Sequence, residues 1–129
     1  MKLNETQLKE IEENGYVILP DCFSKEEVNN LRKAMKTVFN EKTEANVVEK
    51  SSGEVRTAMG LHLRSKIFDD LTRHPKFFEP ACQIRGNDLY IQQTKINVKA
   101  AFTGEVWQWH YDFATHSGED GVPKPLALN

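Results

Sequence analysis

Leu89-Tyr90-Ile91-Gln92-Gln93-Thr94-Lys95-Ile96-Asn97-Val98-Lys99 and, a few residues on, Glu105-Val106-Trp107-Gln108-Trp109-His110-Tyr111-Asp112-Phe113 decide the fold class. Both runs read as β-strands, in which residues i and i+2 share a face. The first places Tyr90, Gln92, Thr94, Ile96 and Val98 on one face. Gln93, Lys95, Asn97 and Lys99 form a polar, partly cationic row on the other. That row fits the wet face of an antiparallel sheet. On the strand alone that is the default reading; the functional alternative is the wall of a polar cavity, in which a Lys ammonium holds a carboxylate and the amides of Gln93 and Asn97 orient a polar substrate. The second run sends Trp107, Trp109, Tyr111 and Phe113 one way, as a face to bury, and His110 and Asp112 the other. An imidazole and a carboxylate side by side can both reach one metal ion. Two His and one carboxylate with open positions make up the facial triad of non-haem Fe(II) oxygenases. A turn at Phe102-Thr103-Gly104 would pair the two strands and bring His110 close to the polar row.

The segments before Leu89 read mainly as helices. Leu8 and Ile11 give Thr6 to Asn14 a helical face, closed by Gly15. Tyr16-Val17-Ile18-Leu19 reads as a short strand ended by Pro20. Ser24-Lys25-Glu26-Glu27 is a capping box, and Val28, Leu31, Met35, Val38 and Phe39 follow at helical spacing as core residues. Glu41 to Glu54 reads as a polar, mobile loop beside an active site. Val55 to Leu63 has no decisive period. Ser65 caps a short helix through Ile67, Phe68 and Leu71, and Pro75 opens another that ends at Gly86-Asn87-Asp88. After Phe113 a polar loop runs from Thr115 to Pro125. Helices first and strands afterwards make an α+β domain.

Composition narrows the function classes. The 129 residues suit a single domain, 1–129, or part of one. Nineteen acidic against seventeen basic residues give a net charge of −2, and the basic residues are scattered, so nothing points to nucleic acid. No apolar run approaches a membrane span, and the N-terminus has no signal core. Cys22 and Cys82 lack metal-binding spacing and suit a reduced, cytoplasmic setting.

Four ordered blocks carry a family resemblance: Gln93 to Lys99, Phe102-Thr103-Gly104, Trp109-His110-Tyr111-Asp112-Phe113 and Glu119-Asp120-Gly121-Val122-Pro123. Together with Gly15-Tyr16-Val17-Ile18-Leu19-Pro20 ahead of a capped helix, they resemble the phytanoyl-CoA dioxygenase family, in its ectoine-hydroxylase-like branch. The resemblance implies N-terminal helices followed by the first strands of a double-stranded β-helix, or jelly roll, here incomplete. It implies Fe(II) with 2-oxoglutarate and O₂ as cosubstrates, and hydroxylation of a small organic substrate. His110 and Asp112 would be the first two iron ligands. Lys99, Lys95, Asn97 and Arg56 would serve 2-oxoglutarate, and Gln93 the substrate. Trp109 is expected to pack. A carboxylate at Asp112 speaks against halogenation, which needs a small residue there.

Two departures, Lys95 in place of an Arg and Thr115-His116 in place of a Trp-His pair, leave the substrate open. The family's third ligand, a later His, and the Arg that anchors 2-oxoglutarate have no counterparts by Asn129. His62 and His74 read as surface or helix-end residues, and His116 lies in a loop. The chain is therefore expected to be the N-terminal part of a longer oxygenase and inactive alone. Two other readings remain at this stage: a non-catalytic binding or interaction module derived from that fold, and a different metal site built on the same pair.

Overall fold

A computed structural model describes residues 1–102, 104, 106–119 and 121–128. Its elements are α1 (Glu5–Asn14), α2 (Lys25–Phe39), β1 (Asn46–Val48), β2 (Val55–Met59), α3 (Leu61–Arg64), α4 (Lys66–Thr72), α5 (Pro75–Arg85), β3 (Lys95–Asn97) and α6 (Asp112–Glu119). The three strands form one antiparallel sheet in the order β1-β2-β3. The α+β class expected from the sequence is observed.

Local signals account for the helices. Ser24 and Glu27 close the expected capping box at α2, and Gly15 ends α1 in the left-handed conformation at φ 82°. Asn4 and Gln7 form a second capping box at α1. His74 caps α5, accepting from the Lys76 N–H, with Pro75 in the first turn. Ser65 stands at the N-cap of α4, but its hydroxyl makes no capping bond.

The core is small. Val38 of α2, Ala58 of β2, Leu61 of α3 and Phe68 of α4 are buried, with Leu31, Met35, Ile67, Leu71 and Ile96 packed around them. Helices therefore cover the Ala58–Ile96 face of the sheet. The row Val47–Thr57–Asn97 runs across the opposite face. Exposure alternates along β3, with Lys95 and Asn97 open and Ile96 packed, as its sequence implies.

Arg64 ties helices to sheet. Its guanidinium donates to the Val38 carbonyl in the last turn of α2 (3.1 Å), to the Met59 carbonyl of β2 (3.0 Å), to Asn46 Oδ1 of β1 (3.0 Å) and to Glu41 Oε2 (2.7 Å from Nη2). Asn46 Nδ2 donates to the Val38 carbonyl as well (2.8 Å). The last carbonyls of a helix lack intrahelical partners, so these bonds satisfy groups that would otherwise be left unpaired. At the other end of the chain, Gln83 of α5 brackets Leu3, accepting from its N–H (2.6 Å) and donating to its carbonyl (3.1 Å).

Several expectations need correction. Of the expected strand from Leu89 to Ala100, only Lys95–Asn97 is strand, because β3 has only the short β2 ladder to pair with. Residues 106–111 are irregular and Asp112 opens helix α6, so among the described residues of the expected strand from Glu105 to Phe113 no strand forms, while Glu105 itself lies outside the described residues. β3 pairs with β2 and not with the segment that follows it, and an alternating run without a paired neighbour cannot satisfy its backbone as a strand. The expected loop from Thr115 therefore begins as helix. Tyr16 to Leu19 is irregular, with Tyr16 and Ile18 exposed. The expected loop Glu41–Glu54 contains β1 and a tight turn through Gly53 (φ 72°), in which the Glu49 N–H donates to the Glu54 carbonyl (2.8 Å). Glu49 itself is buried. Of the expected turn at residues 102–104, Phe102 has φ 66° and the Gly104 N–H reaches the Ala100 carbonyl (3.1 Å), while Thr103 lies outside the described residues. Among the described residues no helix is long and apolar enough to cross a membrane. Cys22 and Cys82 are both free thiols.

Candidate metal centre and anion pocket

His110 lies near the end of the irregular segment and Asp112 begins α6, yet the two side chains converge. His110 Nε2 lies 3.5 Å from Asp112 Oδ1. The other ring nitrogen, Nδ1, lies 2.8 Å from the Gln108 carbonyl oxygen. A carbonyl only accepts, so Nδ1 is the donor in that contact, and Nε2 is the ring nitrogen turned toward the carboxylate. A hydrogen bond from the other ring nitrogen to a carbonyl is the second contact that a metal-ligating imidazole ordinarily has. Asp112 sits in the first turn of α6, where the helix dipole favours negative charge. Half the His110 side chain and a third of that of Asp112 are open, so an ion can enter. The pair therefore fits a divalent cation as two of its ligands. Among the described residues no set of three or more His, Cys, Asp or Glu side chains is arranged to hold a metal. His62 is engaged elsewhere, with Nδ1 2.6 Å from Thr94 Oγ1, and His74 is the cap of α5.

The aromatic residues of this segment differ from expectation. Trp109, expected to pack, is fully exposed, and Tyr111 is largely exposed. Without strand alternation no face is presented for burial. Trp107 does pack: the Arg56 guanidinium carbon lies 4.2 Å from its ring centroid, a cation–π geometry. Trp107 also lines a cavity of about 280 Å³ with Asn97, Val98 and Lys99.

The structure thus gathers Asn97 and Lys99 around one cavity, joins Arg56 to it through Trp107, and places His110 three residues beyond Trp107. Lys95 and Gln93 are exposed and do not line that cavity. A larger groove of about 660 Å³ between α1 and the end of α5, lined by Leu8, Ile11, Tyr16, Ile84 and Arg85 among others, holds none of these residues. Sequence reasoning missed Trp107 as a wall of the cavity and Thr57, whose hydroxyl donates to Asn97 Oδ1 (2.9 Å). The alternation of Trp107 with Gln108 assigned it to a buried face, and Thr57 lay in a stretch without a readable period.

The family model described as phytanoyl-CoA dioxygenase (PhyH) matches residues 11–128. The chain belongs to the phytanoyl-CoA dioxygenase family. Within that family it is 33% identical over 132 residues to the ectoine dioxygenase of Nocardia farcinica, covering 99% of this chain and 44% of that protein. It is 34% identical over 116 residues to the L-proline trans-4-hydroxylase of Streptomyces griseoviridis, covering 90% of this chain and 43% of that one. The crystal structure of EctD from S. alaskensis with 2-oxoglutarate and 5-hydroxyectoine matches with a TM-score of 0.88 at 30% identity, over 95% of this chain and 45% of that one. EctD from the same source with bound Fe matches with a TM-score of 0.82 at 29% identity, over 88% and 42%. The chain spans less than half the length of the curated relatives it matches.

Proposed function

We propose that the chain is the N-terminal part of an Fe(II)- and 2-oxoglutarate-dependent dioxygenase, a cytoplasmic hydroxylase of a small organic substrate, and that its elements begin a jelly-roll domain. The observation that carries this is the His110–Asp112 pair, with Nε2 and Oδ1 3.5 Å apart and Nδ1 held by the Gln108 carbonyl. Family membership and the likeness to EctD structures with Fe and with 2-oxoglutarate support it.

In this reading His110 and Asp112 hold the iron. An iron held there would supply the chemistry that couples oxidative decarboxylation of 2-oxoglutarate by O₂, to succinate and CO₂, with hydroxylation of an unactivated C–H bond. Lys99 brings an ammonium, and Asn97 its amide, to a carboxylate in the adjacent cavity. Lys95, on the same face of β3 as Asn97, adds a second positive charge. Arg56 contributes charge behind Trp107, and Gln93, exposed just ahead of β3, is the residue proposed to meet the substrate. Trp107 forms the apolar side of this open depression. The relatives act on ectoine and on L-proline according to their names, and the substrate of this chain is of that small polar class.

The test is succinate formation by the full-length protein. Turnover should require both Fe(II) and 2-oxoglutarate. His110→Ala and Asp112→Ala should each lower it at least about a hundredfold, as loss of a metal ligand does, with unchanged circular dichroism. The 129-residue chain alone should not turn over. Turnover that survives both substitutions, or that is independent of 2-oxoglutarate, would exclude the proposal.

A further inference from the structure

We infer that Thr57 is a positioning residue for the anion-binding wall of this site: its hydroxyl holds the Asn97 amide with both N–H donors free to serve the cavity that Lys99 lines. The inference rests on the 2-oxoglutarate reading above and deepens it.

Thr57 and Asn97 stand directly opposite one another across β2 and β3, so their side chains share the face of the sheet that the helices leave open. Thr57 is buried, one of few polar residues that are, whereas Asn97 is exposed. Thr57 Oγ1 donates to Asn97 Oδ1 at 2.9 Å. The asymmetry matters. An exposed amide turns easily about its last torsion, and half of its orientations would aim the carbonyl oxygen at the cavity. That oxygen is an acceptor and repels a carboxylate. With the oxygen engaged by Thr57, the two N–H groups remain available. Asn97 itself lines the open depression that it shares with Val98, Lys99 and Trp107. Two donors next to an ammonium select an anionic oxygen acid, and a carboxylate fits both hydrogen-bond count and charge. Pre-setting the amide before the ligand arrives removes an ordering cost from binding.

A cross-strand hydrogen bond could serve the sheet alone. In that case its loss would lower the melting temperature and leave ligand affinity unchanged, which separates the two roles. The experiment is 2-oxoglutarate binding to the metal-loaded full-length protein by anaerobic calorimetry, for wild type, T57V, T57S, N97A and T57V/N97A. T57V keeps the shape and removes the hydroxyl, and T57A replaces it where T57V does not melt cooperatively. T57V should weaken binding about tenfold, the factor carried by one hydrogen bond of ordinary net strength. T57S should restore it, and T57V should add nothing once Asn97 is gone. Affinity in T57V within about twofold of wild type, or a T57V loss that adds in full to that of N97A, would overturn the inference and leave the proposed function standing. A wild-type protein that binds no 2-oxoglutarate would overturn both.

Discussion

The Arg56–Trp107 stack should control metal affinity at a site that neither residue touches. Residues 106–111 have no strand partner, and the stack is a contact that fastens them to β2. With the guanidinium 4.2 Å from the ring centroid and both residues half-buried, the interaction lies between the exposed and desolvated cases, at about 1 kcal/mol. If the stack selects the segment conformation that presents His110 to Asp112, losing it lowers the competent fraction and raises the apparent dissociation constant by roughly fivefold. Arg56 makes further interactions, so Arg56→Met alone would overstate the effect. A double-mutant cycle with Trp107→Leu cancels them and isolates the pair. The assay is anaerobic Fe(II) titration of wild type, both single variants and the double variant. The expected coupling energy is about 1 kcal/mol. In a Trp109→Phe background, which leaves Trp107 as the one indole of the two in the sequence, Arg56→Met should also shift fluorescence emission to the red. Additive losses, with coupling below about 0.3 kcal/mol, would refute the idea that the stack positions His110.

Arg64→Met should cost about 2 kcal/mol and lower the melting temperature by roughly 6 °C, because it leaves the Met59 carbonyl and Asn46 Oδ1 without the guanidinium around a side chain only 14% exposed, whereas the Val38 carbonyl keeps its Asn46 donor. A drop under roughly 3 °C in a thermal melt would mean that water replaces the guanidinium at no cost. Glu27 is held well below its ordinary pKa, at about 2, first by the Ser24 backbone N–H and then by Lys76. Its folded pKa is depressed, so its stabilisation is complete above the ordinary value of 4.5 and is lost as pH falls from there toward 2. The melting-temperature difference between wild type and Glu27→Gln should therefore be constant near neutral pH and shrink between pH 4.5 and 2. A difference that did not change across that window would remove the carboxylate's charge from the account.

The helices were legible because their signals are local. Ser24 with Glu27, Gly15, Pro75 and Gly86 each act within one turn, so a reading residue by residue finds them. The sheet was less so, because strands depend on partners far away in sequence. Val55 to Met59 shows no clean alternation, since β2 sits between two neighbours with Ala58 fully buried and Thr57 nearly so. The Arg64 network could not be read from sequence at all. It joins positions from Val38 to Arg64 that meet only after α2, β1 and β2 have assembled.

The site shows the same division from the other side. His110 and Asp112 were singled out on the argument that strand geometry puts them on one face. They do meet, but in a different conformation: the chain leaves an irregular segment and enters α6 between them. The spacing was informative because two residues separated by one can converge in more than one backbone geometry. The strand assignment was not, because the alternation of Trp107, Trp109 and Tyr111 describes a surface to be buried and cannot say against what. Only Trp107 finds a partner on the sheet, and it does so through Arg56, a residue marked from sequence for a different purpose. That exchange of roles has a consequence for the polar row. Of its four members, Asn97 and Lys99 line the cavity beside Trp107, whereas Gln93 and Lys95 do not. Ligand affinity should therefore respond to the first two before the last two, and Thr57 should respond with them.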